Sequence, residues 1–150
     1  MKNDHNIIGK KLFTVQRYFK MFLSYKLRDH ELRGAQFMVL LELVKKDGLS
    51  QEAINEGLLF DKGFLAKTAK SLEKEGYIIR KINQEDRRAY QLFLTDKAKS
   101  FIPRMFKILD EWDETLLQEV NKEEVNLLKD ILNGMLERVA VKCKEVKGEL

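Results

Sequence analysis

The sequence changes its hydrophobic period once, and this change limits the folds that it can adopt. Up to residue 76, apolar residues recur every three or four positions, as on the buried faces of amphipathic helices. In 77–94 two apolar runs flank the polar segment 83–88, which is typical of two β-strands joined by a turn. From residue 95 the helical period returns. The pattern predicts a mainly α protein with a small β-hairpin.

Capping residues and glycines divide the part before the hairpin into four helices. The first extends to about residue 27, and the second covers 36–44 and ends at Asp47-Gly48. Ser50 is a suitable N-cap for a short third helix, and Asp61 for a fourth that reaches residue 75 and stops at Gly76. Three short helices followed by a hairpin indicate a winged helix-turn-helix.

Two long helices follow the hairpin. Thr95 caps the fifth, in which Pro103 predicts a kink or a frayed first turn, and the sixth begins at about Lys122. We therefore expect a winged helix-turn-helix lobe flanked by long N- and C-terminal dimerisation helices. The predicted organisation is one domain over 1–150, with the lobe at 32–94 and the dimerisation region at 1–30 and 95–150.

The terminal helices carry more apolar surface than a small winged domain can cover. Their large apolar residues include Phe13, Phe19, Phe22, Phe101 and Trp112. The simplest arrangement that buries them is a homodimer with two-fold symmetry. A monomer whose terminal helices cap only its own core is the alternative.

The fourth helix has the pattern of a DNA-reading helix. At 100° per residue, Leu65, Thr68, Ala69 and Leu72 share one face. The opposite face carries lysines that can neutralise phosphates and small residues that allow close approach to the bases. Its members are Lys62, Gly63, Ala66, Lys67, Lys70 and Lys74. An ordinary solvated lysine face is the alternative, because charge runs are common on surface helices.

The turn of the hairpin ends in two arginines. An arginine at the tip of a β-wing can enter a narrow minor groove, where the negative potential is strongest. Alternatively, Arg87 or Arg88 forms a salt bridge with Glu85 or Asp86 that rigidifies the turn. Both can hold, with one arginine paired to Asp86 and the other free to reach DNA.

Charge and residue content favour some classes of function over others. The net charge of +4 and pI of about 9.1 allow a nucleic-acid partner, and 57–94 alone carries eight Lys/Arg against five Asp/Glu. His5 and His30 lie in no catalytic or metal-binding motif, and no phosphate-binding loop occurs, so we expect neither an enzyme nor a cofactor or metal site. The sequence shows neither a leader peptide nor a membrane span, which favours a cytoplasmic location.

Five short segments stand out as a set: Leu49-Ser50-Gln51-Glu52, Asp61-Lys62, Ser71 to Arg80 (SLEKEGYIIR), Asp86-Arg87-Arg88 and Leu94-Thr95. Together they resemble the MarR family of bacterial transcriptional regulators. The resemblance implies a homodimer that binds inverted-repeat operators in double-stranded DNA, usually as a repressor released by a small ligand. It also places the recognition helix at Lys62 to Lys70, and the wing Asp and Arg at Asp86 and at Arg87 or Arg88.

The sequence departs from the family pattern in the recognition helix. The family usually has Ser or Thr at several positions where Gly63, Phe64 and Ala66 stand here. The loss of hydroxyl contacts predicts that specificity depends on Lys67, Lys70 or DNA shape. Ala98, which replaces a common glycine, and Gly57, which replaces a larger residue, do not alter the expected fold.

The resemblance also implies ligand sensing where the dimer helices meet the winged lobe. We expect the pocket near Phe13, Arg17 and Tyr18, and an aromatic acid suits an arginine among aromatic rings. Some members of the family switch by oxidation of a cysteine near the first helix. This chain has only Cys143, beside two lysines near the C-terminus. Its thiol can be either inert or redox-sensing, and the sequence leaves both alternatives open.

One rival function uses the same fold. A winged helix can serve protein–protein contacts without specific DNA binding, because a fold does not dictate its function. In that case acidic or exposed apolar groups should interrupt the lysine face. Only Glu73 borders that face and Phe64 lies outside it, which favours DNA, although an exposed Phe64 would not be expected for that function.

Overall fold

The computed structural model describes residues 5–148, and side chains from residue 7 to residue 146. Six α-helices and three short strands follow one another along this part of the chain. Their order is α1 (His5–Leu27), α2 (Gly34–Lys45), β1 (Leu49–Ser50), α3 (Gln51–Leu58), α4 (Lys62–Lys74), β2 (Ile78–Ile82), β3 (Tyr90–Leu94), α5 (Asp96–Leu116) and α6 (Lys122–Gly148). A 3₁₀ turn at Arg28–His30 separates α1 from α2. The predicted mainly α fold with a winged helix-turn-helix is confirmed.

The helix starts lie where the capping residues predict them. The Ser50 side chain accepts a hydrogen bond from the backbone N–H of Ala53 at the start of α3. Thr95 accepts one from the backbone N–H of Ala98 at the start of α5. The first turn of α5 is closed rather than frayed, because the N–H of Lys99 donates to the carbonyl of Thr95. A kink at Pro103 stays a prediction, within a helix that is continuous from 96 to 116.

The wing contains one strand more than the sequence predicts. The sheet is antiparallel with strand order β1-β3-β2, so the predicted hairpin pairs along β3 with a third strand of two residues. Gly48 leads into this strand with a φ of +77°, and an added Cβ would lie 2.8 Å from Cε1 of Phe93. Asp47 accepts a hydrogen bond from the N–H of Leu94 through Oδ1. These contacts fix the base of the wing to the turn between α2 and α3.

The core of the first 112 residues is centred on α2. Its fully buried side chains come from every helix from α1 to α5 and from two of the strands, and each contributes about 1.5–3 kcal/mol by leaving water. The largest are Phe37, Leu27, Leu40, Leu43, Ile54, Leu65, Leu72, Ile78, Leu92, Met105, Ile108 and Val39. The buried polar side chain of Gln36 donates to Oγ of Ser71, which connects α2 with α4.

The chain forms two compact units that divide within α5, one ending at Trp112 and the other beginning at Asp113. In the first unit, the ring of Trp112 packs against Phe19 and Phe22, with centroid distances of 5.0 Å to Phe19 and 5.4 Å to Phe22. Every described α1 residue up to Tyr18 is exposed. The second unit is mainly α6, which starts with a reciprocal capping box between Asn121 and Glu124.

Candidate nucleic-acid interface

The start of α4 is fixed by its own cap. Oδ1 of Asp61 accepts hydrogen bonds from the backbone N–H groups of Gly63 and Phe64, at 3.0 and 3.1 Å. These two N–H groups are therefore satisfied within the chain and are not free to hold a phosphate. The exposed side chains of α4 are the groups that can contact a polyanion.

Helix α4 separates its faces as the periodicity predicts. Leu65, Thr68, Ala69 and Leu72 are buried against the core. The six predicted recognition-helix residues are all exposed: Lys62, Gly63, Phe64, Ala66, Lys67 and Lys70. Lysines and small residues therefore share one accessible surface, and Phe64 is exposed beside it. Such a surface can follow a groove and neutralise its phosphates.

The carboxylate that borders this lysine face is paired. Both Nε and Nη2 of Arg80 donate to Oε2 of Glu73, at 2.9 and 2.5 Å. The hydrogen bond from Arg80 holds the pKa of Glu73 below its ordinary value, with a further contribution from the charge of Lys70. The acid is thus neutralised by a residue of the wing, and the exposed lysines of α4 have no ion pair within the part of the chain described.

The wing tip presents two guanidinium groups without the salt bridge that the sequence left open as an alternative. Asp86 does not pair with an arginine side chain: its Oδ1 accepts the backbone N–H of Arg88 at 3.0 Å, and its carbonyl accepts the N–H of Ala89. Arg87 and Arg88 are exposed, and neither has an ion pair among residues 7–146. The carboxylate shapes the turn because a short Asp side chain reaches its local backbone more readily than a distant arginine head group.

The predicted effector residues are exposed on the first helix. Phe13 and Arg17 are one turn apart on α1, whereas Tyr18 lies about 140° around the helix from Phe13 at 100° per residue. They therefore do not share one face within a single chain. Cys143 is exposed on α6.

Two further features of the structure concern metal-binding clusters and membrane-spanning helices. Within the described part of the chain, no group of three or more His, Cys, Asp or Glu residues could hold a metal ion. None of the helices described here is long and apolar enough to cross a membrane.

Comparison with known proteins decides the family. The model of the MarR family matches residues 30–89. A solved MarR transcriptional regulator from Methanosarcina mazei Go1 is 32% identical, has a TM-score of 0.85, and is matched over 91% of this chain and 92% of that one. The chain belongs to the MarR family.

Other MarR-family relatives cover most of both chains. The HTH-type transcriptional regulator BilQ of Clostridioides difficile (strain CD3) is 26% identical over 83% of this chain and 88% of its own length. The HTH-type transcriptional regulator SarZ of Staphylococcus haemolyticus (strain JCSC1435) is 29% identical over 74% and 77%. This MarR-family chain is accordingly a DNA-binding transcriptional regulator and not an enzyme.

Sequence reasoning missed the residues that support the interface. The pairing of Glu73 with Arg80 joins α4 to β2 across a turn, and a spacing of seven residues gives no local signal for it. It also missed Asn55, whose side chain accepts from the N–H of Phe60 and donates to its carbonyl, both at 2.7 Å. An Asn followed by an irregular segment is a weak signal for such a turn.

Proposed function

We propose that this MarR-family protein is a homodimer that binds inverted-repeat operators in double-stranded DNA and represses transcription until a small ligand releases it. The observation that carries the proposal is that α4 and the wing tip expose cations without ion pairs in the described structure, while the bordering acid is occupied by Arg80. Unpaired exposed cations on two successive elements suit a backbone that carries regularly spaced charges.

The two elements have different roles in the proposal. Helix α4 enters the major groove, where Lys67 and Lys70 contact phosphates or guanine edges and where Gly63 and Ala66 allow close approach. Arg87 or Arg88 of each subunit enters the adjacent minor groove. Asp86 keeps the turn in shape through its bond to the backbone of the tip.

Exposed apolar stripes support the dimer. On α1 they include Ile8, Leu12 and Phe13, and on α6 they include Leu136 and Val139. Large apolar groups of this kind, repeated along long helices, mark surfaces that a second copy can cover. We propose a single domain over 1–150, with the DNA-binding lobe at 32–94 and dimerisation helices at 1–30 and 95–150.

Lysine variants test the role of α4. The probe is the duplex most enriched from a random double-stranded library by the purified full chain, and the measurement is its Kd by fluorescence anisotropy. Lys67→Ala and Lys70→Ala should each weaken binding, and the one that reads a base should also relax specificity at that base pair. Lys129→Ala on α6 is the charge-matched control. Unchanged Kd values for both α4 variants would refute the assignment of α4 as the reading helix.

Ligand release is tested separately. Phe13, Arg17 and Tyr18 are the proposed effector residues, and a symmetric partner could complete a pocket that one helix cannot form alone. A carboxylate on an aromatic ring is the ligand chemistry that suits these side chains. In a thermal-shift screen of aromatic acids, a hit should raise the melting temperature, lower DNA affinity and be weakened by Arg17→Ala. If no acid raises the melting temperature, the proposed ligand class is wrong.

A further inference from the structure

An apolar tip precedes and opens the recognition helix. Leu59, in the turn before α4, is 80% exposed, and Phe64, the third residue of α4, is 49% exposed. Single exposed apolar residues are common on protein surfaces and need no explanation by themselves. These two lie at the end of the helix that helix-turn-helix proteins direct towards the base edges.

The tip is rigidly supported. Phe60 packs against the core, and Phe64 meets it edge to face with ring centroids 5.3 Å apart. The Asn55 side chain holds both backbone groups of Phe60, and the N–H of Leu59 donates to the carbonyl of Asn55. Leu59 itself is in the left-handed region, with a φ of 54° and a ψ of 34°, which is unfavourable for a branched side chain.

Strain of this kind persists only where surrounding contacts enforce it, and among residues 7–112 the strained Leu59 is the most exposed large apolar side chain. A turn that only connected two helices would be better served by glycine or asparagine at Leu59. The fold therefore holds an apolar group outward beside the lysine face.

The charge around the apolar tip indicates which kind of partner binds there. Lys67 lies about 60° from Phe64 around the helix, whereas Lys62 lies about 160° from it, towards the opposite side. A cation beside a small apolar tip, on a helix that exposes further lysines, fits a surface that is anionic with isolated apolar points. The major groove has this character, because phosphates line it and the C5-methyl group of thymine is the apolar feature of its floor.

We propose that Phe64, supported by Phe60 and accompanied by Leu59, reads thymine C5-methyl groups in the major groove, so that thymine is a specificity determinant in each half-site of the operator. This inference rests on the proposed function, namely DNA binding through α4. It assigns a base to the position where the hydroxyl side chains expected from the family resemblance are missing.

Deoxyuridine substitution tests the inference at the level of one methyl group. The probe is again the duplex most enriched from a random library by the purified full chain. Each thymine, with its symmetry mate, is replaced by deoxyuridine, which keeps base pairing and removes only the methyl groups. Burial of one methyl predicts about a 4-fold loss of affinity per half-site and about a 15-fold loss for the symmetric pair.

The variants complete a double-mutant cycle. Phe64→Ala should lose a similar factor on the thymine duplex and should no longer distinguish the critical deoxyuridine duplex. Phe64→Leu retains an apolar group and should retain part of the discrimination, and circular-dichroism melting of both variants checks that the fold persists. Lys67→Ala is the control, since it should weaken binding to both duplexes by the same factor.

Three results would overturn the inference. If the wild type binds every deoxyuridine duplex as tightly as the thymine duplex, Phe64 reads no methyl, although the proposed function stands. If Phe64→Ala binds the thymine duplex like the wild type, Phe64 contributes nothing to DNA affinity and the inference is wrong. If the wild type enriches no sequence, the proposed function fails, and the inference fails with it.

Discussion

Replacing Arg87 and Arg88 together by alanine removes both guanidinium groups from the tip of the wing. Both side chains are exposed, and neither has an ion pair in the described structure, so the change leaves no described carboxylate unpaired. The hydrogen bond from Oδ1 of Asp86 goes to a backbone N–H, which alanine retains. We therefore expect the wing to keep its conformation and the thermal stability to stay within about 0.5 kcal/mol of the wild type.

The expected loss of DNA affinity follows from the number of contacts. If one arginine of each subunit enters the minor groove, a dimer loses two charge-assisted contacts, which together contribute about 2–4 kcal/mol after allowance for screening. This corresponds to a Kd about 30- to 1000-fold higher. Each phosphate-neutralising arginine also contributes about 0.9 to the salt slope, so the slope should become shallower by about 2 to 4 for two to four arginines per dimer.

The assay is a fluorescence anisotropy titration of the enriched duplex at several salt concentrations. Lys122→Ala/Lys129→Ala is the matched control, because it removes two positive charges per subunit from exposed positions on α6, outside the winged lobe. The control should change affinity and salt slope much less than the wing variant does. A wing variant with wild-type affinity and slope would refute the assignment of Arg87 and Arg88 to DNA.

Two further predictions concern the scaffold that positions the interface. Gly48→Ala should lower the free energy of unfolding by about 1–3 kcal/mol, because the positive φ of Gly48 and the ring of Phe93 both disfavour a Cβ. Gly9→Ala on α1 is the control, since its Cβ would meet nothing within 4 Å and the change should be neutral or stabilising. Equal effects of the two variants in chemical denaturation would contradict this prediction. Burial raises the pKa of Tyr77 above 10.0, so the contribution of its neutral phenol is complete below pH 10 and is lost as the pH rises through the raised folded-state pKa. Tyr77→Phe should be less stable at neutral pH by about 1 kcal/mol, since it loses the hydrogen bond to the carbonyl of His30. Its melting temperature should also fall less between about pH 9 and 11 than that of the wild type. Parallel curves of melting temperature against pH would refute the role of the phenol.

Local signals predicted the helical framework because they act through neighbouring residues. Ser50 and Asp61 cap the helices that follow them, since a side chain that accepts a hydrogen bond two or three residues ahead needs no tertiary contact. Gly76 takes a φ of +75° beyond the end of α4 for the same local reason. The buried and exposed faces of α4 also followed from periodicity, because its core lies on one side only.

Tertiary contacts determine what the sequence did not predict. Strand β1 has two residues and exists because Gly48 and Leu49 meet β3, more than 40 positions later. The sequence left open whether Asp86 pairs with an arginine head group, and in the structure the backbone N–H of Arg88 donates to its carboxylate instead. The neutralisation of Glu73 by Arg80 depends on the angle at which the wing leaves α4, and no local pattern encodes that angle.

Selection of host-genome fragments on the purified protein tests the central claim most directly. The enriched fragments should contain an inverted repeat whose half-site centres lie about 10 base pairs apart or a multiple of that spacing, bound by one dimer with a log–log salt slope of about −5 to −10. A bound ligand could hide this activity, so the selection is repeated with protein that has been unfolded, stripped of ligand and refolded. Enrichment of an inverted repeat in either preparation supports a dimeric regulator that binds a specific DNA sequence. No enriched sequence in both preparations would contradict it.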